Sequence, residues 1–314
     1  MIYKRKSNRI KPVSILFIIS MLVLFLAGTI YLISSNEENY MMPDRIRGAV
    51  VEASRFSSHG RINEMSSVAA PIAIPPFTRE MHIAEITDTQ YLKLVNRDLA
   101  ITNHTCHTRL TTVWPDMNVS GVNVKLHETA FYAMGELFAH AQSSGINDLF
   151  IASGYRSHED QSRLYVNMAN SDYVMPPGHS EHQIGLAADI LSGDGSSSMR
   201  GSAEAAWLRE NAPDFGFILR YPEDRQHITG VPYEPWHFRY VGRLHAWYMG
   251  IHSFVLEEYI EYLKENDVIR TEFDGNIYYI LYQTPHDGII FVPENMNFWV
   301  SSANTGGYIV TTWR

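Results

Sequence analysis

The sequence predicts a domain of mixed helices and strands that follows one apolar helix near the N-terminus. Residues 13–33 carry no charge, which is typical of a membrane-spanning helix. Residues 125–143 repeat apolar side chains at helical spacing, and a short apolar run at 149–152 follows. Beyond residue 266, β-prone runs alternate with turns. The predicted parts are a basic tail at 1–12, an anchor at 13–34, a spacer at 35–85, a main domain at 86–266 and a small β appendage at 267–314.

The apolar run at 13–33 is long enough to cross a membrane, since about 20 residues at 1.5 Å rise span the ~30 Å hydrocarbon layer. Lysine and arginine residues precede the run, and the acidic residues Glu37 and Glu38 follow it. Because the basic side stays in the cytoplasm, the rest of the chain is expected outside. A cleaved signal peptide is the alternative, but no small-x-small site directly follows the run. We therefore predict a single-pass anchor.

The charge and the cysteine content argue against a nucleic-acid-binding protein and against a protein stabilised by disulfide bonds. The formal net charge is −9 although the segment before the apolar run is basic, so the remaining chain is acidic. It lacks the basic face that nucleic-acid binding requires. Cys106 is the single cysteine, so no intramolecular disulfide can form. His104 and His107 lie beside it, but spacings this short seldom let all the side chains reach one ion. We interpret Cys106 as a buried or partly buried free thiol.

The elements of the main domain follow from periodicity, caps and turns. Residues 92–101 are expected to form a strand and its turn, and Gly145 to end the helix at 125–143. Ser157 is the expected N-cap of a helix that reaches about residue 169. The later elements are a loop at 172–180, a strand within 184–191, a helix at 203–211, a strand at 236–240 and a long helix at 242–266. The appendage strands are expected at 268–269, 277–282, 288–292 and 307–312.

Two short segments, 180–189 and 234–237, bring together imidazoles and carboxylates. A catalytic zinc ion needs three protein ligands and one open position, and His182, Asp189 and His237 can supply the three. Two neutral ligands and one carboxylate leave the ion positive, which lowers the pKa of bound water towards ~7. Glu234 can act as the base beside that water if the chain bends before His237. Taken singly, each residue is equally well explained as a solvated group or a salt-bridge partner.

The two segments resemble a family of zinc peptidases. Residues 180–189 follow the pattern Ser-x-His-x-x-Gly-x-Ala-x-Asp, and residues 234–237 follow Glu-x-Trp-His. Both patterns resemble the VanY-type D-alanyl-D-alanine carboxypeptidases, which belong to a larger group with the D-alanyl-D-alanine dipeptidases. Residues 153–157, Ser-Gly-Tyr-Arg-Ser, are similar to the first motif of that family. The resemblance covers about residues 91–250, with the motifs in the same order.

The resemblance implies a compact α+β fold, in which a small antiparallel sheet carries the ligands and helices pack on one side. It implies that His182, Asp189 and His237 bind one zinc ion (Zn2+). Glu234 is then the general base and afterwards the general acid. The implied activity is that of the D-Ala-D-Ala carboxypeptidases, carried out by a metal mechanism.

The resemblance also implies roles for three residues that do not bind the metal. Arg156 is similar to the family arginine that stabilises the oxyanion, and a guanidinium aimed at developing negative charge fits that role. A surface salt bridge is the alternative for Arg156. Gln161 and Ser180 are similar to substrate-binding positions of the family.

The expected function is removal of the C-terminal D-Ala from peptidoglycan stem peptides or from their lipid-linked precursor, outside a bacterial cell membrane. The resemblance adds a possible contribution to glycopeptide resistance. An L,D-carboxypeptidase acting on tetrapeptide stems would use the same mechanism. A zinc-containing cell-wall-binding module without catalysis is another alternative, although a module of that kind has no need of Glu234. In the last alternative, the metal site serves only to stabilise a structural membrane protein.

Overall fold

The computed structural model describes residues 74–87, 90–101, 109–113, 123–168, 171–193 and 199–314. Residues Ile72–Arg314 form one compact unit. Its strands are β1 (Phe77–His82), β2 (Leu110–Thr112), β3 (Lys125–His127), β4 (Leu149–Ser153), β5 (Ala187–Ser192), β6 (Phe217–Leu219), β7 (His237–Tyr240), β8 (Ile269–Phe273), β9 (Asn276–Gln283), β10 (Ile289–Pro293), β11 (Asn297–Ser302) and β12 (Tyr308–Trp313). Its α-helices are α1 (Glu128–Ser143), α2 (His158–Asn167), α3 (Ala203–Asn211), α4 (Gln226–Thr229), α5 (Arg243–His252) and α6 (Leu256–Glu265).

A four-stranded antiparallel sheet with the order β4-β5-β7-β6 occupies the centre of the domain. In its register, Asp189 of β5 lies opposite Ser153 of β4 on one side and His237 of β7 on the other. Directly opposed residues of antiparallel strands project to the same face of a sheet. The pairing of β5 with β7 therefore brings Asp189 and His237 together, although they are far apart in the sequence.

Helix α1 covers this sheet with one apolar stripe, as its helical spacing predicted. The residues of the stripe are buried and belong to one core cluster with residues of the central sheet such as Ile151, Ile190 and Phe238. The stripe consists of Ala130, Phe131, Met134, Leu137 and Ala141. The helix begins later than predicted, because residues 125–127 form β3, which pairs with β2. The ring of His127 then caps the helix by accepting a hydrogen bond from the Thr129 amide.

A second four-stranded antiparallel sheet, with the order β11-β12-β9-β8, contains strands of the predicted appendage. It packs on α6, whose buried side chains Leu256, Tyr259, Ile260 and Leu263 join Ile269, Ile280 and Ile309 in one core cluster. These strands therefore share a core with the helices of the main domain. Strand β1 pairs with β10, so residues 77–82, within the segment predicted as a spacer, belong to the same folded unit.

The prediction of one long helix over 242–266 is wrong, because the chain forms α5 and α6 with a break between them. Ser253 adopts a left-handed conformation, with φ of 55°, and ends α5. Its amide and that of Phe254 donate to the last carbonyls of α5. Apolar side chains continue through the break, so the periodicity alone gives no sign of it.

The strand predicted within 92–101 is also absent from the described structure. A 3₁₀ turn at Gln90–Leu92 leads into a loop whose Leu92, Leu94 and Val95 side chains are nevertheless buried. The predicted N-cap of α2 is confirmed, since the Ser157 hydroxyl accepts a hydrogen bond from the Asp160 amide at 3.0 Å.

Among the described residues, none of the helices combines the length and apolar character needed to span a membrane. The predicted anchor at 13–34 lies outside the described residues, and so does Cys106.

Candidate active site

Three predicted metal ligands meet above the central sheet. Asp189 and His237 come from the paired strands β5 and β7, and His182 comes from the 3₁₀ helix Glu181–Ile184 that precedes β5. Asp189 Oδ2 lies 3.4 Å from His182 Nε2, and Asp189 Oδ1 lies 3.2 Å from His237 Nδ1. One ligand atom from each residue lies within 4.8 Å of the other two. The three side chains can therefore share one ion.

The donor set and its burial fit zinc. His182 and His237 are buried, with exposed fractions of 2% and 5%. His182 Nε2 is buried and has no hydrogen-bond partner within the described residues, as expected of an atom that binds an ion. Two imidazoles and one carboxylate, with room for a fourth ligand, are a set that catalytic zinc sites use.

The orientation of His182 is fixed from behind by Gly154. His182 Nδ1 lies 2.7 Å from the Gly154 carbonyl oxygen, so Nδ1 donates the hydrogen bond and Nε2 keeps its lone pair for an ion. A Cβ atom at position 154 would lie 2.4 Å from the Lys125 carbonyl oxygen, so only glycine lets the backbone pass there. Burial, with a further contribution from Arg156, lowers the pKa of His182 to about 4, which keeps the ring neutral as a ligand must be.

His237 has a more acidic environment. Burial lowers its pKa, but contacts with Asp189 and Glu181 outweigh that effect and raise the pKa to about 9. A metal ion must therefore displace a proton from this ring at neutral pH.

Glu234 lies beside the three ligands. Its Oε2 is 3.5 Å from His237 Nδ1, and the side chain is buried, with an exposed fraction of 4%. The His237 amide donates to the Glu234 carbonyl at 3.1 Å, which closes the bend expected at Pro235 and Trp236. Burial raises the pKa of Glu234 to about 7, although the charge of His237 opposes that shift. A carboxyl group with this pKa can both accept and return a proton near neutral pH.

Arg156 lies on the other side of Asp189. Its Nη2 is 3.4 Å from Asp189 Oδ2, its Nε is 3.3 Å from Ser153 Oγ, and its Nη1 donates to Gln161 Oε1 at 2.9 Å. The side chain is mostly buried but lines the cavity beside the ligands. Arg156 is therefore positioned to reach a group bound in that cavity.

The two residues predicted to bind substrate, Ser180 and Gln161, have different surroundings in the structure. Ser180 is nearly buried and lines the cavity. Gln161 has no exposed surface and does not line the cavity; its amide nitrogen donates to the Met175 carbonyl at 2.7 Å. The side chain of Gln161 faces inward from α2, where its oxygen accepts a hydrogen bond from Arg156. Its role in substrate binding stays a prediction.

The cavity holds about 120 Å³, and its lining is both polar and apolar. The polar lining includes the three ligands, Glu234 and Arg156. The apolar and aromatic lining residues include Leu164, Tyr173, Val174, Met175 and Trp236. A small peptide end with a methyl side chain and a charged terminus fits such a mixed lining.

Glu181 also belongs to this site, although no role was predicted for it. Its exposed fraction is 1%, and its Oε1 is 2.8 Å from both Arg220 Nε and Arg239 Nη1. Burial alone would raise the pKa of Glu181, but the charges of Arg220 and Arg239 outweigh it and hold the pKa well below its usual range. The sequence did contain a signal, because Arg220 and Arg239 stand in apolar strand-like runs where a buried cation needs an acidic partner.

Comparison with known proteins agrees with this geometry. The sequence model of the VanY family, described as D-alanyl-D-alanine carboxypeptidase, matches residues 123–243. VanXYC of Enterococcus gallinarum, a bifunctional D-Ala-D-Ala dipeptidase and D-Ala-D-Ala carboxypeptidase, is 41% identical over 131 residues, covering 38% of this chain and 69% of that protein. The chain belongs to the VanY family. All the site residues described above lie within the matched range.

Two further similar proteins extend the comparison. A D-alanyl-D-alanine carboxypeptidase of Enterococcus faecium is 40% identical over 192 residues, which cover 61% of this chain. The matched region spans 62% of that relative, so less than two thirds of its length is represented here. The crystal structure of the vancomycin resistance D,D-dipeptidase VanXYg, in complex with a D-Ala-D-Ala phosphinate analogue, has a TM-score of 0.64 at 30% identity, covering 75% of this chain and 98% of that chain. The structural similarity thus extends beyond residues 123–243.

Proposed function

We propose that the chain is a zinc-dependent D-alanyl-D-alanine carboxypeptidase that removes the C-terminal D-Ala from peptidoglycan stem peptides. The observation that carries this proposal is the convergence of His182, Asp189 and His237, with Glu234 beside them in the same cavity. Membership of the VanY family and the names of the relatives support the choice of substrate.

In the proposed mechanism, His182, Asp189 and His237 would hold a zinc ion, which would act as a Lewis acid and make water available as a nucleophile at neutral pH. Glu234 accepts a proton from the attacking water and returns it to the nitrogen of the departing D-Ala. Arg156 donates hydrogen bonds to the carbonyl oxygen as negative charge develops on it. Ser180, at the cavity wall, contacts the peptide end.

The sequence supports a location for the reaction. The predicted anchor at 13–34 would hold the protein at a bacterial cell membrane with the catalytic domain outside, where stem peptides and lipid-linked precursors occur. Removal of the terminal D-Ala there would contribute to glycopeptide resistance.

The proposal is tested by incubating the zinc-loaded protein with a defined pentapeptide stem, the matching tetrapeptide and free D-Ala-D-Ala, with and without chelator. We expect chelator-sensitive release of one D-Ala from the pentapeptide. Release from the tetrapeptide alone would instead identify an L,D-carboxypeptidase. Binding to cell wall without release from any substrate would identify a non-catalytic module.

Arg156→Lys is expected to lower kcat by roughly 10²–10³-fold, the cost of losing an oxyanion donor. Lysine keeps the positive charge but lacks the planar fork with which Arg156 contacts Asp189 and Gln161. Steady-state kinetics on the pentapeptide, together with the zinc content, provides the measurement. Arg163→Lys is the matched control, because Arg163 is exposed on α2 and its ion pair within the described part of the chain is with Asp160, one turn away. Equal activity of both variants would exclude Arg156 from the reaction.

A further inference from the structure

Two buried atoms face each other behind the metal site. Glu181 Oε2 and His237 Nε2 are 3.6 Å apart, and neither has a hydrogen-bond partner among the described residues. A buried polar atom without a partner is costly. A small rotation that closes this gap satisfies both atoms at once, with Nε2 donating and the carboxylate accepting. His237 Nδ1, on the opposite side of the ring, faces Asp189 and Glu234.

The other oxygen of Glu181 is already engaged. Oε1 accepts from Arg220 Nε and lies beside Arg239 Nη1, at 2.8 Å in both cases, and both guanidinium groups are fully buried. The contacts of Arg220 and Arg239 with Oε1 fix the orientation of the Glu181 carboxylate. Oε2 is therefore held towards His237.

The two arginines are in turn held by parts of the fold outside the matched range 123–243. Arg220 forms a two-pronged pair with Glu257 of α6, at 2.8 and 2.7 Å. Arg239 Nη2 donates to the carbonyls of Gln90, Tyr91 and Lys93, at 3.0 to 3.3 Å. The segment that carries these carbonyls is tied to the second sheet, where the Leu92 amide donates to Ser301 Oγ of β11 at 3.1 Å.

We propose that Glu181 is a positioning residue for the zinc ligand His237, held in place by Arg220 and Arg239. By accepting the Nε2 proton, Glu181 selects the form of the ring that offers the Nδ1 lone pair to the ion. The Gly154 carbonyl does the same for His182 from the opposite nitrogen. The role of this residue rests on the zinc site of the proposed function.

Glu181→Gln tests the proposal because the two arginines determine the orientation of the glutamine side-chain amide. Their N–H groups require the oxygen of the amide, so the NH₂ group is turned towards His237 Nε2. An acceptor is thereby replaced by a donor of nearly the same shape, which favours the ring form with the proton on Nδ1 and opposes metal binding. We expect zinc affinity to fall by roughly 10–100-fold, as for other residues that support metal ligands.

Glu257→Gln is the matched control. It also removes a carboxylate from Arg220, but Glu257 contacts the two Nη atoms of that arginine, whereas Glu181 contacts its Nε. Glu257 has no described contact with His237, and the amide oxygen of a glutamine there can still accept from an Nη atom. Zinc affinity is measured by competition with a chromogenic chelator, and the absorption spectrum of the cobalt-substituted protein reports the ligand geometry. We expect weaker zinc binding and a changed cobalt spectrum for Glu181→Gln, and values within about threefold of the parent, with an unchanged spectrum, for Glu257→Gln.

Equal loss of zinc affinity in both variants, or parental affinity in Glu181→Gln, would overturn the proposal. If Glu181→Gln does not fold, the proposal is tested by the histidine tautomers of the parent protein. NMR of the zinc-loaded protein should show the proton of His237 on Nε2 and that of His182 on Nδ1. A proton on Nδ1 of His237 would then refute the role of Glu181. None of these measurements uses substrate, so a failure to release D-Ala would refute the proposed function without affecting this result.

Discussion

Replacing Glu234 with glutamine is expected to lower kcat for D-Ala release by roughly 10²–10⁴-fold, the usual contribution of a general acid–base group. Glutamine has nearly the same shape but cannot take a proton from water. Glu234 is buried beside His237, yet the structure forms the three-ligand cluster without it. The loss should therefore appear in catalysis and leave the metal in place.

The measurement is kcat and KM on the pentapeptide, together with the zinc content of the parent and the variant. Glu223→Gln is a suitable control, because Glu223 is an exposed carboxylate paired with Arg200 away from the cavity. We expect the control to match the parent. Near-parental turnover in Glu234→Gln with full zinc occupancy would remove Glu234 from the mechanism. If Glu234→Gln lost zinc, Glu234 would instead be a ligand.

The three residues that meet at the candidate metal site were predicted from two short motifs and from the resemblance of those motifs to the VanY family. His182 and Asp189 stand in one ten-residue segment, and His237 follows Glu234 directly through a bend. What the motifs could not supply is the register that aligns Asp189 with His237. That register depends on pairing between strands distant in the chain, which periodicity does not reveal.

Glu181 and Gln161 show the limit of local reasoning. The role of Glu181 depends on Arg220, which follows the end of β6, and on Arg239, which lies in β7. No spacing within its own segment indicates that a glutamate is buried. Gln161 was expected at the substrate, but its side chain turns inward to Arg156 and the Met175 carbonyl. Which side of α2 faces the cavity depends on how the helix packs.

The strands of the second sheet were predicted apart from β11 (Asn297–Ser302). This strand mixes polar and aromatic residues, and its Val300 and Ser301 are buried by contacts with other elements. The break at Ser253 likewise results from a single left-handed residue within a continuous apolar pattern. Both features arise from tertiary packing and from backbone conformation, which composition does not encode.

Removal of zinc by a chelator is expected to abolish D-Ala release and to lower the melting temperature, and added zinc should restore both. An ion at a free concentration of 1,000 times its Kd stabilises the folded state by about 4 kcal/mol. For a domain of this size, each kcal/mol shifts the melting temperature by about 2–4 °C, so the expected fall is about 8–16 °C. The effect is large because His182, Asp189 and His237 are held together in a largely buried cluster.

Two variants test whether the zinc-dependent shift in melting temperature comes from the cluster of His182, Asp189 and His237. Asp189→Asn weakens a ligand, so we expect chelator to change its melting temperature much less than that of the parent. Glu234→Gln keeps all three ligands and should keep the full shift while its activity is already low. A zinc-dependent shift in a parent that releases D-Ala from no stem peptide would mean that the ion serves stability alone. Activity that survives complete removal of zinc would contradict the metal mechanism, because Glu234 and Arg156 would then suffice without an ion.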